Sequence, residues 1–338
     1  MERRTWLKTV AVALANRFVM GEARAQSSSS PRPRVFQLLT QDEGEHPATI
    51  LRDTFVHEDK IYYLATESTH ELSASVWKIG CRTFDGKFVW RRRLPLGLYS
   101  GIEMSEIDTL LLLSFRAYQG HPMNSVYSVT GVDTQPPRVE WLTAVPAAGG
   151  GPVGAMAFLH GAHFGGIFNG ALSMTTPNDL AKGIPAASLA LPGKLPIAFH
   201  LLEYAGSLWM VNLATAEVWV FSSAASSVPQ FTVSGPAVST AQNSLSEAVA
   251  AQARYPNTAI NLIAATGIVG KALHMLLLPF KESLATYAWC NQDFSVAGST
   301  TIDLTFVRAA APIKILQLAT ETALVFSDGS VAAFPIPT

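Results

Sequence analysis

Ten residues, Phe115 to Asn124 (FRAYQGHPMN), hold a guanidinium, a phenol, an imidazole and an amide in close succession. Such composition is enriched where proteins hold partners, with Arg and Tyr the usual anchors. Arg116, Tyr118 and His121, read as a loop and grouped with His70 and Glu103, are therefore the candidate ligand- or partner-binding residues. Glu67, Asn124, Lys281 and Glu282 fall in matching connections and would stand near them. Metal chemistry has weaker support. Glu103, Asn169 and Asn261 could offer hard oxygens to Ca2+. His160-Gly161-Ala162-His163 has the look of a ligand pair, yet it occupies a tight turn matching His57-Glu58-Asp59-Lys60 and Glu203-Tyr204-Ala205-Gly206. A turn repeated along the chain is structural. The nucleophile elbow G-x-S-x-G, the zinc motif H-E-x-x-H, C-x-x-C and the phosphate loop do not occur. No catalytic residue is assigned, and no cofactor or metal is expected.

The elements that must position these residues repeat. Apolar bursts of β-type composition begin at Ile61, Leu110, Phe164, Leu208, Leu273 and Leu324. A spacing of about 50 residues, built from short strands, is that of β-propeller blades. The blades run from about Ala48 to Leu94, Gly101 to Val145, Val153 to Pro192, Pro196 to Ser234, Ile260 to Val307, and Ile313 to Pro337. The last repeat offers only three strands, while Arg34 to Thr40 has strand composition and stands alone. Pairing the two closes a ring without exposed sheet edges. The expected fold is all-β, a six-bladed propeller closed by an N-terminal strand. One short helix is inserted near residues 245–254, opened by the capping box Ser244-Leu245-Ser246-Glu247. The inner strands read as apolar, which argues against metal catalysis in the channel.

The segment from Trp77 through Phe84-Asp85-Gly86-Lys87-Phe88-Val89-Trp90 resembles the repeat of quinoprotein-like propellers, and Val139-Glu140-Trp141 echoes it. The resemblance covers two blades and implies the propeller, not the quinone. A calcium-dependent lactonase of the gluconolactonase type is similar only in blade number.

Residues 1–25 read as a signal peptide. Arg3-Arg4-Thr5-Trp6-Leu7-Lys8 resembles the twin-arginine export motif, and Ala23-Arg24-Ala25 makes a small-x-small cleavage pattern. Residues 26–33 are a Ser/Pro linker, and 34–338 a single propeller domain. Periplasmic or secreted localisation follows. Nothing reaches the roughly 18 apolar residues of a membrane span. Of 338 residues only 14 % are charged, and removing the leader leaves a mildly acidic chain, which excludes a nucleic-acid partner. Arg91-Arg92-Arg93 reads as a solvated blade edge. Cys81 and Cys290 fall in blades that are not neighbours, beyond the roughly 7 Å a disulfide allows, so both should be free thiols. The function that fits is a monomeric binding or scaffold module for a protein or surface ligand. The alternative is a hydrolase or lactonase at the channel mouth, which would take Ca2+.

Overall fold

Runs rich in Val, Ile, Leu and aromatic residues become strands buried on both faces, because each blade is covered by a neighbour on either side. The computed structural model describes residues 33–40, 49–67, 76–95, 97–104, 110–118, 121–132, 137–146, 156–159, 163–168, 171–176, 179, 182, 187–189, 198–221, 229–251, 261–281, 284–307 and 310–336. The leader, all of the linker but Pro33, His70, Asn169, His160 and Glu282 lie outside them. The described strands form six four-stranded antiparallel sheets. β1 (Arg34–Gln37) precedes the first of them. That sheet holds β2 (Thr49–His57), β3 (Lys60–Glu67), β4 (Val76–Thr83) and β5 (Phe88–Arg93). The second holds β6 (Leu98–Met104), β7 (Leu110–Tyr118), β8 (His121–Thr130) and β9 (Arg138–Pro146). The third is short, with β10 (Met156–Leu159), β11 (His163–Phe168), β12 (Ala171–Thr175) and β13 (Ala187–Ser188).

The fourth sheet holds β14 (Phe199–Tyr204), β15 (Ser207–Asn212), β16 (Glu217–Phe221) and β17 (Gln230–Thr232). A helix, α1 (Pro236–Ala251), leads into the fifth, with β18 (Ile263–Val269), β19 (Ala272–Lys281), β20 (Leu284–Cys290) and β21 (Val296–Asp303). The sixth combines β22 (Pro312–Leu318), β23 (Glu321–Phe326) and β24 (Ser330–Pro335) with β1 on its outer side. The first strand of each sheet touches that of the next, β2 to β6, β10, β14, β18, β22 and back to β2. The chain is an all-β propeller with one short helix.

Closure follows the expected route. β1 pairs with β24 in the register Arg34↔Ala333, Val35↔Ala332, Phe36↔Val331 and Gln37↔Ser330. A buried arginine fastens Leu38 and Thr40, just past β1, to the first blade. Arg82 donates to the Leu38 carbonyl at 2.7 Å, the Gly86 carbonyl at 2.8 Å and Thr40 Oγ1 at 3.1 Å. Apolar seams do the rest. Leu51, Ile61 and Tyr63 pack on Leu316, Leu318 and Val325, while Trp77, Trp90 and Tyr62 pack on Tyr99, Tyr127 and Val129. Each such side chain contributes about 1.5–3 kcal/mol by leaving water. Cys81 and Cys290 are free and buried, in the third strands of the first and fifth blades.

Two elements differ from expectation. α1 begins eight residues before Ser244, at a proline, whose missing N–H costs nothing in the first turn. Ser239 N bonds the Gly235 carbonyl at 3.0 Å, and Ser246 Oγ donates to the Gln242 carbonyl at 2.9 Å, so the Ser-x-x-Glu sits in the helix interior. Val238 and Ala241 bury themselves with Leu245 against the seam of the fourth and fifth blades, and that burial fixes the helix earlier than the capping pattern does. The second difference is at Phe115–Asn124. Its described residues, 115–118 and 121–124, are not a loop but the paired ends of β7 and β8.

Candidate functional site

Inner strands in a propeller run side by side around a channel, so residues scattered through the sequence meet there. Lys314 of β22 reaches β2, its Nζ lying 3.0 Å from Asp53 Oδ1 and 2.7 Å from the Thr54 carbonyl. His200 of β14 shares a 2.8 Å hydrogen bond with Thr266 Oγ1 of β18. Between these, β18 and β22 approach so closely that a Cβ on Gly267 would collide with the Ile315 carbonyl. Three successive seams, fourth to fifth, fifth to sixth and sixth to first, are therefore each closed at the channel by one polar or close-backbone contact.

The electrostatics join the contacts into one cluster. His200 is held down to about 4 by burial and by the charge of Lys314, with Asp53 acting the other way. An imidazole that feels both partners of the ion pair stands within reach of both. It is half-buried on its inner strand, and the desolvation that lowers its pKa comes from the groups packed round it. Thr266 is fully buried, so the His–Thr pair, which has the outline of base and nucleophile, presents no reachable hydroxyl.

Backbone irregularity sets where these side chains sit. β2, β6, β18 and β22 each carry a register shift near their beginning, between Leu51 and Asp53, Tyr99 and Gly101, Ile263 and Ala265, and Pro312 and Lys314. One residue, Arg52, Ser100, Ala264 or Ile313, is left without a ladder partner at each. Such bulges sharpen the strand twist and re-aim side chains. The same end of the ring is tied together by backbone bonds from an inner strand to the turn of the preceding blade, Leu51 N to the Ser327 carbonyl and Ile263 N to the Leu213 carbonyl. This end is the mouth on which the inner strands begin.

The sequence candidates distribute unevenly. Tyr118 pairs with His121 and Arg116 with Met123. β6 reaches only as far as Phe115, opposite Leu98, and β9 only as far as Met123, opposite Pro146. Residues 116–118 and 121–122 thus continue as a two-stranded ribbon past the described neighbouring strands, at the mouth end. Glu103 is not there. It pairs with Leu111, one residue from the far end of β6, roughly 15 Å down the strand from Leu98. A longer inner strand than expected, beginning at Leu98 and not Gly101, carries it away.

Asn261 precedes β18, and its Oδ1 is buried without a hydrogen-bond partner among the described residues. Since β6 and β18 belong to the second and fifth blades, Glu103 and Asn261 share neither end nor side of the channel. They do not form a common metal site. Among the described residues no group of three His, Cys, Asp or Glu gathers. Glu67 forms an ion pair with Lys78 at 3.2 Å. Sequence reasoning missed Asp53, His200, Thr266 and Lys314. For Lys314 and Thr266 the signal was a polar side chain in an otherwise apolar run, as in Ile313-Lys314-Ile315; Asp53 and His200 lie in strands with several polar residues and had none.

With the geometry in hand, comparison with known proteins is informative for the fold. No protein-family model matches the chain, and no curated protein matches its sequence. Among solved structures, Ycf48 bound to a D1 peptide is similar with a TM-score of 0.51 and 9% identity, over 93% of this chain and 100% of that one. A catalytically inactive virginiamycin B lyase from Staphylococcus aureus with quinupristin has a TM-score of 0.49 and 10% identity, covering 90% and 99%. BamB from Moraxella catarrhalis has a TM-score of 0.38 and 9% identity, covering 86% and 80%. At these identities the likeness is one of fold.

Proposed function

We propose that residues 34–338 form one six-bladed propeller domain, exported by its leader, that binds a protein or surface ligand at the channel mouth. The observation that carries this reading is the ribbon of β7 and β8, which outruns both neighbours and bears Arg116, Tyr118 and His121. Arginine and tyrosine are the side chains that most often anchor a protein contact. A second support is that four channel groups are committed to one another: Lys314 to Asp53, and His200 to Thr266. Hydrolysis would need one of them free to reach a substrate. The Ycf48 propeller holds a peptide, so peptide capture lies within what this architecture allows.

The test is a photo-crosslinking amino acid placed at Tyr118 in producing cells, with Glu58, on an exposed turn at the opposite end of the ring, as control position. Adducts should form at 118 and not at 58, and Arg116→Ala should abolish them. Stability should move by no more than about 0.5 kcal/mol, as for surface changes generally. Equal adducts at both positions, or none at 118, would sink the reading.

A further inference from the structure

We propose that Arg52 anchors a monoanion site at the channel mouth and that the group it takes there is a carboxylate. The inference rests on the reading of that face as the binding face, and names its ligand chemistry. Arg52 is the residue left unpaired by the β2 bulge, since Leu51 faces Ala65 and Asp53 faces Leu64 across the ladder. Its side chain is open to solvent, yet the atoms around it lower its pKa by desolvation. The guanidinium is thus solvent-accessible, at the beginning of an inner strand, and held by no ladder partner.

Several other described arginines have found acceptors. Arg34 meets Glu321 at 2.5 Å and the Phe84 carbonyl at 2.9 Å. Arg82 has its three bonds, Arg92 bonds the Pro137 carbonyl, and Arg138 meets Glu140 at 2.8 Å. Arg52 has no such acceptor among the described residues, and no charged partner contributes to its shift. A partly desolvated cation without a partner is unfavourable, and a ligand anion removes the penalty.

Charge sets the class of anion. Lys314 and Asp53 cancel, and His200 is neutral near pH 7, so the described inner-strand groups at the mouth end carry one net positive charge, that of Arg52. A monoanion balances it, whereas a phosphate dianion leaves one charge over. The planar guanidinium fork also matches a carboxylate in a bidentate pair. Two further polar atoms at the beginnings of inner strands, Thr49 Oγ1 and Asn261 Oδ1, are buried without partners among the described residues.

The experiment follows the Arg52 Nε–Hε signal by NMR as peptides are added to the full protein. Acetyl-trialanine with a free C-terminal carboxylate should shift the signal saturably, and its C-terminal amide should not. An amidated acetyl-Ala-Glu-Ala separates a side-chain carboxylate from a terminal one; a response to either supports the site. Arg52→Gln should abolish binding, and Arg52→Lys should weaken it at least about fivefold by losing the fork. Thermal melts of both variants check that they fold. No response to either carboxylate, undiminished affinity in Arg52→Gln, or tighter binding of methyl phosphate would each overturn the inference. If crosslinks form at Tyr118 while carboxylates leave Arg52 unmoved, the carboxylate site falls and the docking reading stands. A carboxylate response without crosslinks leaves the site standing and removes the docking reading.

Discussion

Two imidazoles, His200 and His274, are held down to about 4 from an ordinary 6.5, in both cases chiefly by burial. His274 is 2 % exposed and bonds the Tyr287 hydroxyl at 2.7 Å. A histidine whose folded pKa is depressed binds fewer protons folded than unfolded. Its stability contribution is complete above about 6.5 and is lost as the pH falls towards 4. Urea unfolding from pH 7 to pH 4.5 should therefore show a loss on the order of 2 kcal/mol for each site. His200→Gln or His274→Gln should flatten that slope; an unchanged slope would mean the ring is not neutral in the fold. At the fifth-to-sixth seam, Gly267→Ala should cost about 2–3 kcal/mol, because the obstacle is backbone and cannot swing aside. Gly270→Ala, with φ of 62° and open space around it, should cost only about 1 kcal/mol. Urea midpoints of the two variants decide the order.

At the scale of elements, β1 does more than fill a gap. It covers the edge of β24, and the residues after it accept the bonds of the buried Arg82. Removing residues 34–40 should expose a flat strand edge and leave a buried guanidinium under-bonded, both severe defects. The truncated protein should melt well below the full chain and aggregate on concentration. A melting temperature unchanged by the truncation would show that closure is made elsewhere. The β7–β8 ribbon and α1 teach a related lesson. Residues 115–124 read as a loop, but strand pairing runs out to Tyr118 and His121 because each β7 residue has a partner in β8. Helix α1 likewise was fixed by the seam it covers, and not by its most recognisable capping sequence.

For the whole molecule, export is the proposal that gives the binding face its setting. Replacing Arg3 and Arg4 by Lys should trap precursor inside producing cells if the twin-arginine reading holds. Secretion at the normal level would assign the leader to another route and leave the propeller untouched. Fractionation followed by immunoblotting distinguishes the two. The fold itself should be indifferent to the change, since the described sheets begin only at Arg34.

Periodicity alone determined the architecture: six apolar bursts about 50 residues apart, and a last repeat one strand short, were enough to read blades and their closure. Short-range pattern suffices there because a strand and its hairpin partner are close in sequence, and hydrophobic alternation fixes their register. It also placed the free cysteines, whose blades are too far apart to bridge. The channel was decided elsewhere. Asp53 and Lys314 are 261 residues apart, and His200 and Thr266 are 66 apart. Nothing in either neighbourhood marks them as partners. Only ring closure sets β22 against β2, and only the bulges turn Arg52 out of the ladder and carry the pairing past it. Glu103 shows the converse. Its type suited the mouth, but a three-residue difference in where β6 begins moved it to the other end, because position along a strand is fixed by pairing and not by residue type.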